Sequence, residues 1–163
     1  MYTVGIVTSS DKGFNGERED KSGEIIKEKV ETLGFMVKKY SILPDDKEGL
    51  KKEFIYLSDE LKVDLVLTTG GTGFSLRDVT PEATKEIIQR ETPGISEAIR
   101  GFSMGITKRA MLSRGVSGIR EKTLFINLPG SPKACKEILD FLLEDIKHGI
   151  NLINNRDREC GGV

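Results

Sequence analysis

The chain has 163 residues, enough for one compact domain with a buried core. Charged residues make up 31% of it, but the two signs are interspersed and the net charge is -1, so composition gives no footprint for nucleic acid or a membrane surface. Two cysteines without a CxxC unit and a single histidine, His148, argue against zinc and demand no disulfide, so a reducing, cytoplasmic setting is expected.

Val4 to Val7 form an apolar run ending in Thr8, Ser9 and Ser10, which reads as a buried strand rather than a signal peptide. A long polar loop, SSDKGFNGEREDKSG, follows, and its length favours a working loop. Ile26, Val30 and Leu33 recur at helical spacing, predicting a helix from about Ser22, its possible cap, to Leu33, with Gly34 as the stop. Phe35 to Leu43 reads as the second strand. Asp45 with Glu48 has capping-box spacing ahead of a helix whose stripe is Leu50, Phe54, Leu57 and Leu61.

Asp64 to Thr68 is a β-branched run typical of a central parallel strand. A helix is expected near Pro81 behind Thr80 as cap, then another with Ile95, Ile99 and Phe102 on one face. Gly105 to Gly118 resists assignment beyond loops around a short strand. Lys122 to Asn127 reads as a strand, and PGSPKA turns it into a last helix lined by Ile138, Leu142, Ile146 and Ile153. The final NNRDRECGGV is expected to fray. Strands alternating with helices predict a three-layer α/β/α domain with a mostly parallel sheet, spanning 1–163 as one unit. No apolar run is long enough to cross a bilayer, and ligands are expected beyond the strand carboxyl ends.

The strongest chemical signal is Thr68-Thr69-Gly70-Gly71-Thr72-Gly73. Without Cβ atoms the backbone can turn tightly and approach a ligand, and successive amides can form an anion nest. It is neither a Walker A motif nor GxGxxG, and a turn without a ligand is the weaker alternative. Asp78 and Asp45 each fall at a strand end before a helix. Such carboxylates either accept local amides as caps or hold Mg²⁺ against phosphates, and a shared cleft favours the second. Pro129-Gly130-Ser131 opens the last helix, where free amides, with Lys133, can face a phosphate; Ser9 and Asp20 can face a ligand from the first loop. Ser113-Arg114 is a further polar element with little logic of its own.

Taken in order, VGIVTSSDKG, DKSG, ILPDD, TTGGTGFSLRDVTPEAT, PGISEAIR, MLSRGVSGIR and LFINLPGSPKA resemble the MogA/MoaB family of molybdenum cofactor biosynthesis proteins, in its MogA-like branch. The resemblance covers nearly the whole chain. It implies adenylyl transfer: the terminal phosphate of molybdopterin attacks the α-phosphorus of ATP, pyrophosphate leaves, and Mg²⁺ is required. Asp45 and Asp78 match the family's two important aspartates, as metal or positioning groups. Gly70, Gly71, Thr72 and Gly73 match the loop that contacts the pterin nucleotide; Ser113 and the Pro129-Gly130-Ser131 turn match other parts of the pocket, which with Ser9, Asp20 and Thr80 completes the expected site. The resemblance further implies a homotrimer or homohexamer, with handover to a molybdate-inserting enzyme. A non-catalytic molybdopterin-binding protein of the same pathway is the second reading.

Overall fold

The computed structural model describes residues 1–156, so most of the expected frayed tail lies outside the described residues. Strand β1 (Tyr2–Ser9) leads through a short helix α1 (Asp11–Phe14) to α2 (Lys21–Thr32) and β2 (Phe35–Leu43). Helix α3 (Lys47–Ile55) runs on into a π-helical turn, Tyr56–Glu60, before β3 (Leu65–Thr69). Then come α4 (Thr80–Ile87), the two-residue β4 (Arg90–Glu91) and α5 (Pro93–Met104). The stretch that resisted assignment holds a 3₁₀ turn, Lys108–Leu112, and β5 (Ser117–Arg120); β6 (Thr123–Leu128) and α6 (Pro132–Ile153) complete the fold.

The six strands form one sheet in the order β2-β1-β3-β6-β5-β4. The first four are mutually parallel, and β5 runs antiparallel to both its neighbours. Because strand side chains alternate, each central strand feeds two cores. Ile6, Leu65, Leu67, Leu124 and Ile126 pack with α2, α5 and α6 through Ile26, Val30, Ile99, Ile138, Leu142 and Ile146. Val7, Val66 and Phe125 pack on the other face with Leu50, Phe54, Leu57, Ala83 and Ile87 of the α3–α4 side. At about 1.5–3 kcal/mol per fully buried apolar side chain, this burial outweighs helix propensity in fixing α2 to α6. The result is the three-layer α/β/α sandwich that the alternation predicts.

The helix starts correct three details of the sequence reading. Asp20, not Ser22, caps α2: its Oδ1 accepts from Gly23 N at 3.0 Å, while Ser22, already inside the first turn, donates to the same carboxylate. Asp46, not Asp45, caps α3, accepting from Gly49 N at 2.7 Å, because Asp45 is turned toward the end of β1. Thr80 is the first residue of α4 rather than its cap, and its hydroxyl points back to Gly70 O at 3.0 Å. Ser131 caps α6 with Pro132 behind it, as expected. Among the described residues no helix is long and apolar enough to cross a membrane.

Candidate active site

The sheet order places β1 between β2 and β3, so the chain leaves its first strand for one side and returns to the other. In doubly wound sheets this reversal opens a crevice beyond the strand carboxyl ends. A cleft of about 630 Å³ lies there. Thr8, Ser9 and Ser10 line it from the end of β1, and Gly13, Arg18, Glu19, Asp20, Lys21 and Ser22 from the long loop and the start of α2. Asp45 enters after β2, Gly70, Gly71 and Asp78 after β3, and Gly130 and Pro132 after β6.

Gly70 and Gly71 take left-handed backbone angles, φ +86 and +69. A Cβ on Gly70 would run into the carbonyl oxygen of Ser9, and one on Gly71 into Thr80 Oγ1. Only glycine lets the end of β3 pass this close to the end of β1. The pair is tied down by α4: besides the Thr80 hydroxyl bond to Gly70 O, Thr80 N donates to Gly71 O at 3.1 Å.

The carboxylates at the rim differ in what they have left to offer. Asp45 Oδ1 accepts from Ser9 Oγ at 2.6 Å and its Oδ2 from Asp11 N at 3.0 Å. Asp45 N in turn donates to Asp11 Oδ1 at 3.0 Å, so two loops exchange backbone-to-carboxylate bonds. Arg77 grips Asp11 bidentately, Nε and Nη2 at 3.0 and 2.8 Å, and this guanidinium, helped by the Asp45 amide, holds the Asp11 carboxyl below the usual carboxylate range. Asp78 Oδ2 accepts from Ser75 N at 2.9 Å, and its other oxygen takes no hydrogen bond among the described residues.

Asp20 is already saturated. Beyond Gly23 N and Ser22 it accepts from Thr8 Oγ1 at 2.6 Å and from the Tyr40 hydroxyl. Burial and this carboxylate together push the Tyr40 phenol well above its ordinary pKa.

Of the residues expected from the sequence, Ser9, Asp20, Asp45, Gly70, Gly71, Asp78 and Gly130 meet in this one cleft. The others are not among its lining residues. Thr72 is buried, the Gly73 carbonyl is taken by Arg114, and Thr80 lies beneath the glycines. Ser113 Oγ accepts from Gly115 N at 3.3 Å, and Pro129 O accepts from Thr69 Oγ1 at 2.7 Å. Ser131 serves as a helix cap, and Lys133, with a side chain 80% exposed, is not among the lining residues. Sequence reasoning missed Thr8 and Pro132 as lining residues, and also Ser10, Gly13, Arg18, Glu19, Lys21 and Ser22, although these last sit in the loop whose length and polarity marked it.

The lining sets four carboxylates, Glu19, Asp20, Asp45 and Asp78, against two basic side chains, Arg18 and Lys21. A substrate bearing several phosphate charges therefore needs a cation with it. Among the described residues no group of three or more His, Cys, Asp or Glu side chains is built to hold a metal unaided. Two carboxylates beside phosphate oxygens are nevertheless what Mg²⁺ uses, so this donor set fits that ion.

Residues 5–148 match the family described as "Probable molybdopterin binding domain". The molybdopterin adenylyltransferase of Helicobacter pylori is 41% identical over 152 residues, covering 92% of this chain and 86% of the relative. That of Escherichia coli is 39% identical over 140 residues, covering 84% and 71%. The crystal structure of the molybdopterin biosynthesis enzyme MoaB from Thermus thermophilus superposes with a TM-score of 0.88 at 44% identity, over 95% of this chain and 98% of that one. Fold, cleft position and sequence thus agree, and the chain belongs to the MogA/MoaB family of molybdenum cofactor biosynthesis proteins.

Proposed function

We propose that this protein is a molybdopterin adenylyltransferase: it transfers AMP from ATP to the terminal phosphate of molybdopterin and releases pyrophosphate. The observation that carries the reading is the joint placement of the left-handed Gly70-Gly71 floor and of Asp45 and Asp78 at one crevice over the carboxyl ends of β1 and β3. The attacking phosphate monoester is a competent nucleophile at neutral pH and needs no strong base. The barrier lies instead in bringing two anions together and in the charge that develops at the α-phosphorus. Asp45 and Asp78 would hold Mg²⁺, which supplies the charge neutralisation that this transfer requires.

The protein's own groups bind and orient. Ser9, Gly70, Gly71 and Gly130 face the substrates, with open backbone at the glycines. Asp20, its lone pairs occupied, fixes the α2 start so that Arg18 and Lys21 can meet phosphate charge. Thr72, Gly73, Thr80, Ser113, Pro129 and Ser131, on the elements next to the lining residues, would complete the contacts to the pterin nucleotide when the substrates are bound. The same reading makes residues 1–163 a single domain that works in the cytoplasm as a homotrimer or homohexamer and hands its product to a molybdate-inserting enzyme.

The deciding experiment is pyrophosphate release from ATP and Mg²⁺ with and without freshly prepared molybdopterin. Release that depends on molybdopterin and is matched by adenylylated product is the expected result. Tight molybdopterin binding without release would leave a non-catalytic binding protein of the same pathway.

A further inference from the structure

Between the 3₁₀ turn and β5, Arg114 reaches into the loop that follows the glycine floor. Its backbone N donates to Thr72 O at 2.9 Å, Nε to Gly73 O at 2.8 Å and Nη2 to Asp78 O at 2.7 Å. Its remaining donors meet the Glu82 carboxylate on the first turn of α4, and this guanidinium holds the Glu82 carboxyl below its ordinary range. One side chain thus closes both ends of the stretch from Gly73 to Asp78. That stretch has little packing of its own: Phe74 is 70% and Leu76 98% exposed. Hydrogen bonds, not burial, therefore set its shape. Arg114 is itself fixed from behind, because Arg100 of α5 donates to Gly115 O at 2.8 Å and to Ser113 O at 3.4 Å, on either side of it.

We propose that Arg114 is a positioning residue whose planar fork fixes the loop from Gly73 to Asp78 and thereby aims the Asp78 carboxylate into the cleft. The inference rests on the adenylyl-transfer reading for its catalytic consequence and on geometry alone for the loop. Lysine is no substitute, since a single ammonium cannot span Gly73 O, Asp78 O and Glu82 in one plane. Misplacing a reacting group by an ångström costs on the order of a hundredfold in rate. Gly70 and Gly71 are tied separately to Thr80, so molybdopterin binding is affected far less than turnover.

The test compares Arg114→Lys, Asp78→Asn and the double variant. Arg114→Lys is expected to lower kcat by about 10- to 100-fold while the KM for molybdopterin moves by less than about threefold. If Arg114 acts through Asp78, the double variant is no slower than Asp78→Asn alone; a role confined to general stability multiplies the two losses and overturns the proposal. Hydrogen exchange reads the loop without any turnover. The amides of Ser75 and Asp78 should exchange at least about tenfold faster in Arg114→Lys, with those of β1 and β3 unchanged. Glu82→Gln, which frees one end of the guanidinium, should move the same amides in the same direction. Unchanged loop exchange in both variants refutes the staple. If the parent protein releases no pyrophosphate, the adenylyl-transfer reading falls, and the exchange data still decide whether Arg114 holds the loop.

Discussion

Gly70→Ala places a methyl group where the Ser9 carbonyl oxygen already sits. Two costs add. An L-residue held at φ +86 costs about 1–2 kcal/mol. Relieving the collision with backbone, which has no rotamer to change, requires β1 and β3 to part beyond the Thr8–Thr69 pair that ends their ladder. Overpacking of this kind costs about 1–3 kcal/mol. The sum, about 2–5 kcal/mol, lowers Tm by about 4–20 °C for a domain of this size.

Gly34→Ala is the matched control. It has nearly the same angle, φ +83, but no atom stands within 4 Å of the added Cβ, and it lies at the far end of β2. Only the conformational term applies, so Tm should fall by about 2–8 °C with turnover kept. Gly70→Ala should in addition lose about a hundredfold in kcat/KM, because the cleft floor moves. Thermal melts and molybdopterin-dependent pyrophosphate release measure both effects. Equal melting losses in the two variants, with turnover preserved in Gly70→Ala, would refute the argument that close approach of β1 and β3 is why these glycines are glycines.

Asp78→Asn should lose at least about a hundredfold in kcat at nearly unchanged Tm, since an amide oxygen still accepts from Ser75 N; wild-type turnover would remove Asp78 from the chemistry. Asp45→Ala should lose turnover and melt earlier, because it leaves Ser9 Oγ and Asp11 N without the acceptor that joins their loop to the end of β2; an unchanged melting curve would contradict that bonding. Asn127→Leu strips partners from Thr68 Oγ1, Thr84 Oγ1 and Val116 N inside the core, at a cost of about 2–4 kcal/mol, measurable by urea unfolding; a loss below about 1 kcal/mol would show that the site relaxes. Burial pushes the Cys135 thiol from its ordinary 9.0 up to about 11, so folding favours the protonated form. That contribution is fully present below pH 9.0 and is lost as pH rises through about 11; a Cys135→Ser variant should lack this part of the alkaline stability loss, and identical pH profiles would argue against it.

Periodicity and glycine chemistry located the long helices and the four parallel strands in the sequence, because the two cores are built from runs that alternate or recur at helical spacing, whereas α1 and the short turns carry no such run. The cleft was legible for a related reason: its residues cluster at strand ends, next to breaks in those runs. Cap assignments were less secure, since adjacent aspartates such as Asp45 and Asp46 look alike in sequence. Which one caps α3 is settled by a distant hydroxyl, that of Ser9. Arg114 was invisible as a staple for the same reason, because its partners at Thr72, Gly73, Asp78 and Glu82 lie more than thirty residues away. The short β4 and the reversed β5 likewise take their identity from neighbours across the sheet rather than from any pattern of their own.

Cys135 sits in the first turn of α6, directly behind the Pro129-Gly130-Ser131 turn, with its thiol donating to Pro129 O at 3.0 Å. It is fully buried and is the only free cysteine among the described residues. Molybdopterin carries a dithiolene, and an oxidant that removes two electrons can join one of its sulfurs to an accessible thiolate as a mixed disulfide. A sulfur kept protonated and screened by the strand-to-helix turn offers none. The packing that closes the end of β6 therefore also keeps the Cys135 sulfur out of any such oxidative coupling at this position.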